Sequence, residues 1–352
     1  MNTAAKALTA LAAAAVLATP ILAQQRGNRL PAECREEIVA LCGTDRAAMR
    51  SCLSEKASEL SETCRQTLRE RMQARGGRDG ADRRGDSEAP INAPAPQTMS
   101  YGSDPLQALD LWVPAGAKSA PLVLFVHGGG WKRGSKDNAG SRSLPGHLTA
   151  QGYAYASINY RLVPAVTVEQ QAADVAAALA HLLARSDELG IDRGRVVLTG
   201  HSAGAHLVAL VGTDEQYLRA AALSFADIDG VMPNDGAAYD VPTQMAQAGR
   251  FMAKTYEQAF GTDVARQQAL SPTVHAAAPN APAFLLIHVQ RPDGVAQNKA
   301  LAEALRRGGS QVEIGSFEGE GLKGHADINR KLGEPDYPAT PVMDAWLKTV
   351  FR

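Results

Sequence analysis

From residue 106 to the C-terminus, short apolar runs alternate with longer stretches of helical period. Residues 106–113 alternate apolar with polar, as an antiparallel edge strand does, whereas 122–126 are apolar throughout, as in a strand covered on both faces. A helix-compatible segment at 138–151, a strand at 153–159 and an alanine-rich helix at 168–189, stopped by Gly190, come next. Strands at 196–200, 228–232, 283–289 and 311–317 follow, with helices behind the first and at 297–307 and 342–349. Between them, 241–270 is mostly polar and helix-prone. This order predicts an α/β fold with a doubly wound, mostly parallel sheet. Sites in such sheets gather at the carboxyl ends of strands, and Gly128, Ser202, Asp293 and His325 all follow strands.

At 196–205 a β-branched strand runs straight into Gly200-His201-Ser202-Ala203-Gly204-Ala205, with an Ala/Leu/Val-rich helix behind it. A serine nucleophile needs that setting: a strained turn lifts its hydroxyl above the sheet, and flanking glycines remove Cβ atoms that would clash. The five-residue pattern alone is weak, and its context gives it weight. Upstream, the strand at 122–126 opens into His127-Gly128-Gly129-Gly130-Trp131. Acyl transfer places charge on a carbonyl oxygen and requires preorganised N–H donors. Gly128 and Gly129, with the N–H of Ala203, are the candidate oxyanion hole. Trp131, beside this turn, is the candidate wall of a substrate pocket.

A serine hydroxyl needs an adjacent base. His325 lies in the glycine-rich loop 318–325 after the last strand, where a base can reach over Ser202. His127 and His201 lie inside the motifs and shape their loops; His206, one helical turn past Ser202, reads as a packing residue. The supporting carboxylate is expected after the strand at 283–289. There Gln290-Arg291-Pro292-Asp293-Gly294 offers Asp293, although Pro-Asp-Gly is also a turn signature. Asp327 and Asp235 stand in reserve.

The segments His127 to Trp131, Asn159-Tyr160-Arg161-Leu162 and Gly200 to Leu207 resemble the α/β-hydrolase family of small esterases. More narrowly they resemble its carboxylesterase, feruloyl-esterase and kynurenine-formamidase-like branch. The resemblance runs from about Tyr101 to the C-terminus. It implies a serine esterase with a Ser202–Asp293–His325 triad in the chain order nucleophile, acid, histidine, acting through an acyl-enzyme without a cofactor. Two departures stand out. Relatives carry a longer, Gly-Asp-x-Asp-type acid loop, and Gly130 stands where the formamidase branch commonly has a tyrosine. An arylformamidase-like amide hydrolase and a non-catalytic envelope-binding protein are the alternatives.

Residues 1–23 read as a signal peptide: Lys6, an uncharged Ala/Leu/Val stretch, Pro20 and a small residue at Ala23. Export implies a periplasmic or secreted protein with no integral membrane segment after cleavage. All four cysteines, Cys34, Cys42, Cys52 and Cys64, fall at 30–72. Their spacing does not suit a zinc site, and an even number in an exported chain predicts two disulfides. Three pairings are open; the nested one, Cys42–Cys52 inside Cys34–Cys64, suits helices folded back on each other. The segment resembles a single cysteine-rich repeat of the Golgi-apparatus-protein type, and an envelope partner through it is a further expectation. Residues 73–98 alternate charges with Gly and Pro, which predicts a disordered linker to a catalytic domain at 99–352. A formal net charge of −1 argues against nucleic acid or an anionic membrane as a partner; the esterase resemblance implies a small-molecule ester instead. No His-Glu-x-x-His or phosphate-loop pattern occurs, so no metal or cofactor is expected. Aromatic and methionine residues at 233–275, Tyr239, Met252 and Tyr256 among them, suggest a partial cap suited to a short acyl or aryl ester rather than a charged one.

Overall fold

The computed structural model describes residues 31–43, 52, 59–65, 67 and 92–352, apart from 139, 141 and 278. The chain divides into two compact units, residues 1–85 and 86–352. The signal peptide expected at 1–23, and the expected linker up to residue 91, lie outside the described residues.

In the first unit a helix, Ala32–Cys42, presents Cys34 and Ile38 to Leu60 and Cys64 in a small apolar cluster. Disulfides join Cys34 to Cys64 and Cys42 to Cys52, the nested pairing. The Ser61 hydroxyl donates to Glu37 at 2.8 Å, a polar tie beside the outer bridge. A core this small gains most of its order from such cross-links.

The second unit is built on an eight-stranded sheet of order β1-β2-β4-β3-β5-β6-β7-β8. The strands are β1 Gln97–Ser100, β2 Ala108–Trp112, β3 Ala120–Val126, β4 Ala154–Ile158, β5 Ile191–His201, β6 Gly230–Asn234, β7 Ala283–Val289 and β8 Gln311–Phe317. β1 and β2, and β2 and β4, pair antiparallel; every other neighbouring pair is parallel. The strand read at 106–113 is therefore not the edge. β1 covers it in register Gln97↔Leu111 and starts inside the stretch assigned to the linker. With the sequence Gln-Thr-Met-Ser, β1 carries no apolar run that could have marked it.

The period-2 rule explains how the sheet is covered on both faces. Leu122, Leu124 and Val126 of β3 join Leu198 in one core, against the helices Val168–Ala184 and Ala203–Thr213. Val123 and Phe125 face the opposite way, with Val197 and Ile287, against Leu148, Met343 and Trp346. Each fully covered Leu or Phe here contributes about 1.5–3 kcal/mol. Helix Val168–Ala184 starts on a reciprocal Thr167/Gln170 capping box. After β6 come four short helices, Val241–Gln247, Arg250–Phe260, Val264–Ala269 and Pro272–His275, before β7 begins. Among the described residues no helix is long and apolar enough to cross a membrane.

Candidate active site

β5 ends at His201 and helix Ala203–Thr213 begins two residues later, so Ser202 alone makes the corner. It does so at φ 57°, ψ −115°, a conformation costly for a residue with a side chain. The neighbours make the corner tight. A Cβ on Gly204 would lie 2.0 Å from the carbonyl oxygen of Val126, and one on Gly200 would lie 2.6 Å from the Gly204 carbonyl. The Ser202 N–H donates to the carbonyl of Asn234 at 3.1 Å, which pins the corner to the end of β6.

The turn after β3 packs on this corner. A Cβ on Gly128 would stand 3.1 Å from the Cβ of Ser202 and 2.9 Å from the His201 carbonyl, so only glycine brings the backbone this close. Gly129 and Gly130 hold φ of 121° and 62°. Trp131 follows at φ 61°; its carbonyl accepts from Gln171 Nε2 at 2.7 Å and from the Val163 N–H at 3.1 Å. Those bonds hold a bulky residue in a conformation it would otherwise avoid. The Trp131 ring is 3 % exposed and wedged against Phe260, Tyr256 and His206. It touches the cavity while joining the cap helices to the nucleophile helix.

One cavity of about 740 Å³ brings together Gly128, Gly129, Trp131, Ser202, Ala203, Asp235, Asp293 and His325. His325 comes from helix Gly321–Arg330, not from a loop. Its Nδ1 donates to Asp235 Oδ2 at 2.5 Å. This corrects the expectation that Asp293 supports the histidine. β7 ends at Val289 and the next helix, Pro292–Arg307, starts almost at once, with Pro292 and Asp293 in its first turn. Pro is preorganised for that position and Asp favours a helix N-terminus, so the anticipated acid loop does not exist. Asp293 instead lies 3.6 Å from Arg291 and accepts from Gln244 Nε2 at 3.2 Å.

Asp235 follows β6 at φ 45° and is fully buried. Its N–H donates to the Ile287 carbonyl at 2.7 Å, so the carboxylate lies between the ends of β6 and β7. Oδ1 accepts from the Val289 N–H at 3.1 Å, and Oδ2 accepts from Arg291 Nε at 3.0 Å as well as from His325. Burial pushes its pKa up, but the His325 hydrogen bond, the Arg291 charge and the Val289 N–H more than offset this and hold it below the ordinary aspartate value. The carboxylate is therefore ionised, as a partner for an imidazolium must be. Arg291 is the positioning residue the sequence did not single out.

Three further histidines surround the site, and burial pushes each of them down. The His201 ring packs 4.4 Å from that of His325 and donates through Nε2 to the His325 carbonyl at 2.9 Å. Burial and then the nearby His325 take it down to about 3. His127, at about 4, stacks on Tyr160, and Tyr160 donates to the His127 carbonyl at 3.0 Å. His206, also at about 4, is bonded to Leu270 O and Trp131 Nε1 in the core. All three stay neutral near pH 7 and none of them is bonded to a carboxylate, whereas His325 holds Asp235 and lines the cavity with Ser202.

The BD-FAE family profile matches residues 109–305, more than half of the chain, including Ser202 and the glycine turn. The chain belongs to the BD-FAE family. Curated relatives of this BD-FAE member match it over about a third of its length. It is 41 % identical over 124 residues to Esterase LipC of Mycobacterium tuberculosis, covering 33 % of this chain and 30 % of LipC. It is 33 % identical over 114 residues to a probable isoprenylcysteine α-carbonyl methylesterase of Oryza sativa, covering 32 % and 27 % of the two chains. Over 136 residues it is 28 % identical to kynurenine formamidase of Salmo salar, covering 38 % and 42 %. The matches thus span less than half the length of each of these relatives. The fold is that of esterase B from Lactobacillus rhamnosis, at TM-score 0.63 and 24 % identity over 81 % of this chain and 94 % of that one.

Proposed function

We propose that this protein is a serine hydrolase of carboxylic esters, with Ser202 as nucleophile, His325 as general base and acid, and Asp235 as the carboxylate that orients and stabilises the imidazolium. The observation that carries the proposal is the 2.5 Å His325–Asp235 hydrogen bond in the cavity that also holds Ser202. His325 accepts the hydroxyl proton through Nε2 as Ser202 attacks the carbonyl, with Nδ1–H held by Asp235. The N–H groups of Gly128, Gly129 and Ala203 receive the oxyanion. His325 then protonates the leaving alcohol, and water repeats the sequence on the acyl-enzyme. The esterase names among the relatives support this reading, and short acyl or aryl esters are the substrates to try first.

The test is hydrolysis of 4-nitrophenyl acetate and butyrate by the purified protein beside Ser202→Ala. Turnover that the serine change abolishes supports the reading; turnover no higher than in Ser202→Ala on every ester tried removes it. A formyl-amide hydrolase is the second reading, favoured by the formamidase similarity. An N-formyl aniline cleaved with a kcat/KM above that of the aryl esters would select it. Export to an oxidising compartment belongs to the same proposal and draws on the two disulfides.

A further inference from the structure

Two cations flank the oxyanion turn, and no carboxylate claims either of them among the described residues. Lys132 is half-buried, and its ammonium donates at 2.9 Å to the hydroxyl of Thr255 on cap helix Arg250–Phe260, a neutral partner. Arg133 doubles back over Gly129: a Cβ on that glycine would meet the Arg133 carbonyl oxygen at 2.0 Å and its Cγ at 3.2 Å. Both residues line the cavity that holds Ser202 and His325. The carboxylates of that cavity, Asp235 and Asp293, are both held by a third cation, Arg291. Lys136, the next cation along the loop, differs: Asp110 and Asp137 neutralise it at 2.6 and 2.7 Å. Among the described residues Lys136 is thus neutralised, while half-buried Lys132 and exposed Arg133, which line the Ser202 cavity, have no carboxylate partner. Leaving a half-buried ammonium without a counter-charge is costly unless something supplies one.

Resting on the esterase reading above, we propose that Lys132 and Arg133 form an anion subsite, and that the substrate is an ester carrying a carboxylate on its acyl or its alcohol part. This reverses the expectation of an uncharged substrate, which counted the apolar residues of the cap and not the loop that faces it. A substrate carboxylate bound here receives charge-assisted hydrogen bonds beside the scissile carbonyl, worth roughly tenfold to a hundredfold in binding. The reaction remains ordinary hydrolysis: water cleaves the ester, and the added carboxylate is unchanged.

The experiment uses two matched pairs. 4-Acetoxybenzoate against its neutral methyl ester places the charge on the alcohol side; monomethyl glutarate against methyl pentanoate places it on the acyl side. The readout is the ratio of kcat/KM, anionic over neutral, in wild type, Lys132→Met and Arg133→Met. Because both members of a pair are measured on one preparation, the ratio is independent of the fraction of folded enzyme. The expected result is a ratio of about ten or more for one pair at low salt. It falls with added salt and drops several-fold in each variant. Ratios at or below one for both pairs overturn the subsite. So does a loss equal for the anionic and neutral members, which assigns the cations to the oxyanion instead. Neither result touches the esterase reading, which fails separately if the neutral esters are not turned over above Ser202→Ala.

Discussion

Two aspartates follow neighbouring parallel strands of this sheet, and they have opposite fates. Asp235 follows β6, fully buried, with a left-handed backbone and hydrogen bonds from His325, Arg291 and Val289. Asp293 follows β7, with its side chain 35 % exposed, in the first turn of a helix and 3.6 Å from Arg291. The difference arises from the backbone between strand and helix. β6 is followed by a six-residue turn before helix Val241–Gln247, and Asp235 opens it; β7 is followed by two residues before Pro292 starts a helix. A carboxylate can bend towards a histidine only where the chain has not already committed to a helix. The end of a strand identifies where an acid can sit; the length of the following turn decides which strand supplies it.

The largest effect that separates the two is catalytic. Asp235→Asn should lower kcat by about four orders of magnitude, because the amide favours the wrong imidazole tautomer and cannot stabilise the imidazolium. Asp293→Asn should cost less than about tenfold, measured on the same aryl ester. A thousandfold loss in Asp293→Asn with near-normal Asp235→Asn would invert the comparison and return the acid to the β7 side.

Arg291 sharpens it next, since it touches both carboxylates. Its side chain is 15 % exposed and Asp235 is fully covered, so Arg291→Met leaves a buried carboxylate with one charged partner fewer. Unfolding in urea should show a loss of about 3 kcal/mol. In double-mutant cycles the coupling of Arg291 to Asp235 should exceed about 1.5 kcal/mol, while its coupling to the half-exposed Asp293 stays below about 1 kcal/mol. Equal couplings would show Arg291 to be a general surface anchor rather than the holder of Asp235.

Acid should separate them further. The folded pKa of Asp235 lies below its ordinary value of 3.8. Its contribution to stability is therefore complete above that value and is lost as pH falls through the folded pKa, with a slope of at most about 1.4 kcal/mol per pH unit. Wild type should thus lose stability faster than Asp235→Asn below about pH 3.8, and the gap between the two should narrow. His127, His201 and His206, held down at about 4, 3 and 4, act at higher pH. The unfolded chain takes up their protons from about pH 6.5 downward while the folded chain does not, so stability falls with pH there. His127 and His206 do not feel Asp235 and cancel from the difference, whereas His201, which the Asp235 charge pulls up, cancels only well above its folded pKa of about 3. A gap that stays constant from pH 6 to 3 would place Asp235 in an ordinary, solvated environment.

Much of this arrangement was legible in the chain. The alternation over β2 and the apolar runs of β3, β5 and β7 located the sheet, and the glycines around Ser202 and after β3 announced close backbone approach. β1 was invisible because it carries no apolar run: Met99 is its one apolar residue, only partly buried, and Thr98 ties it to β2 by a hydrogen bond to Asp110. The acid was misplaced for a different reason. Arg291-Pro292-Asp293 carries a valid helix-start signal, Pro with Asp in the first turn, but Pro-Asp-Gly read as a turn and Asp293 as part of a loop. Arg291 and the unpaired Lys132 and Arg133 could not be read at all, because their meaning depends on which carboxylates lie near them, and those come from residues distant in sequence.

The smallest effect is on Asp293 itself, and it closes the comparison from the other side. If Asp293 serves only the helix Pro292–Arg307 and the Arg291 side chain, its replacement by Asn removes a favourable interaction with the helix N-terminus and a partly solvated ion pair. Each is worth about 0.3–1 kcal/mol. Asn can still accept from Gln244 Nε2, the contact that links this turn to cap helix Val241–Gln247, so the cap should stay in place. Asp293→Asn should therefore lower Tm by about 2–4 °C and leave the pH profile of kcat/KM unmoved. Asp293→Ala, which also removes the acceptor for Gln244, should raise KM more than it lowers kcat, because it loosens the cap over the cavity rather than the histidine. A shifted pH profile in either variant would mean that Asp293 reaches His325 electrostatically through Arg291, and that the two aspartates act as one unit.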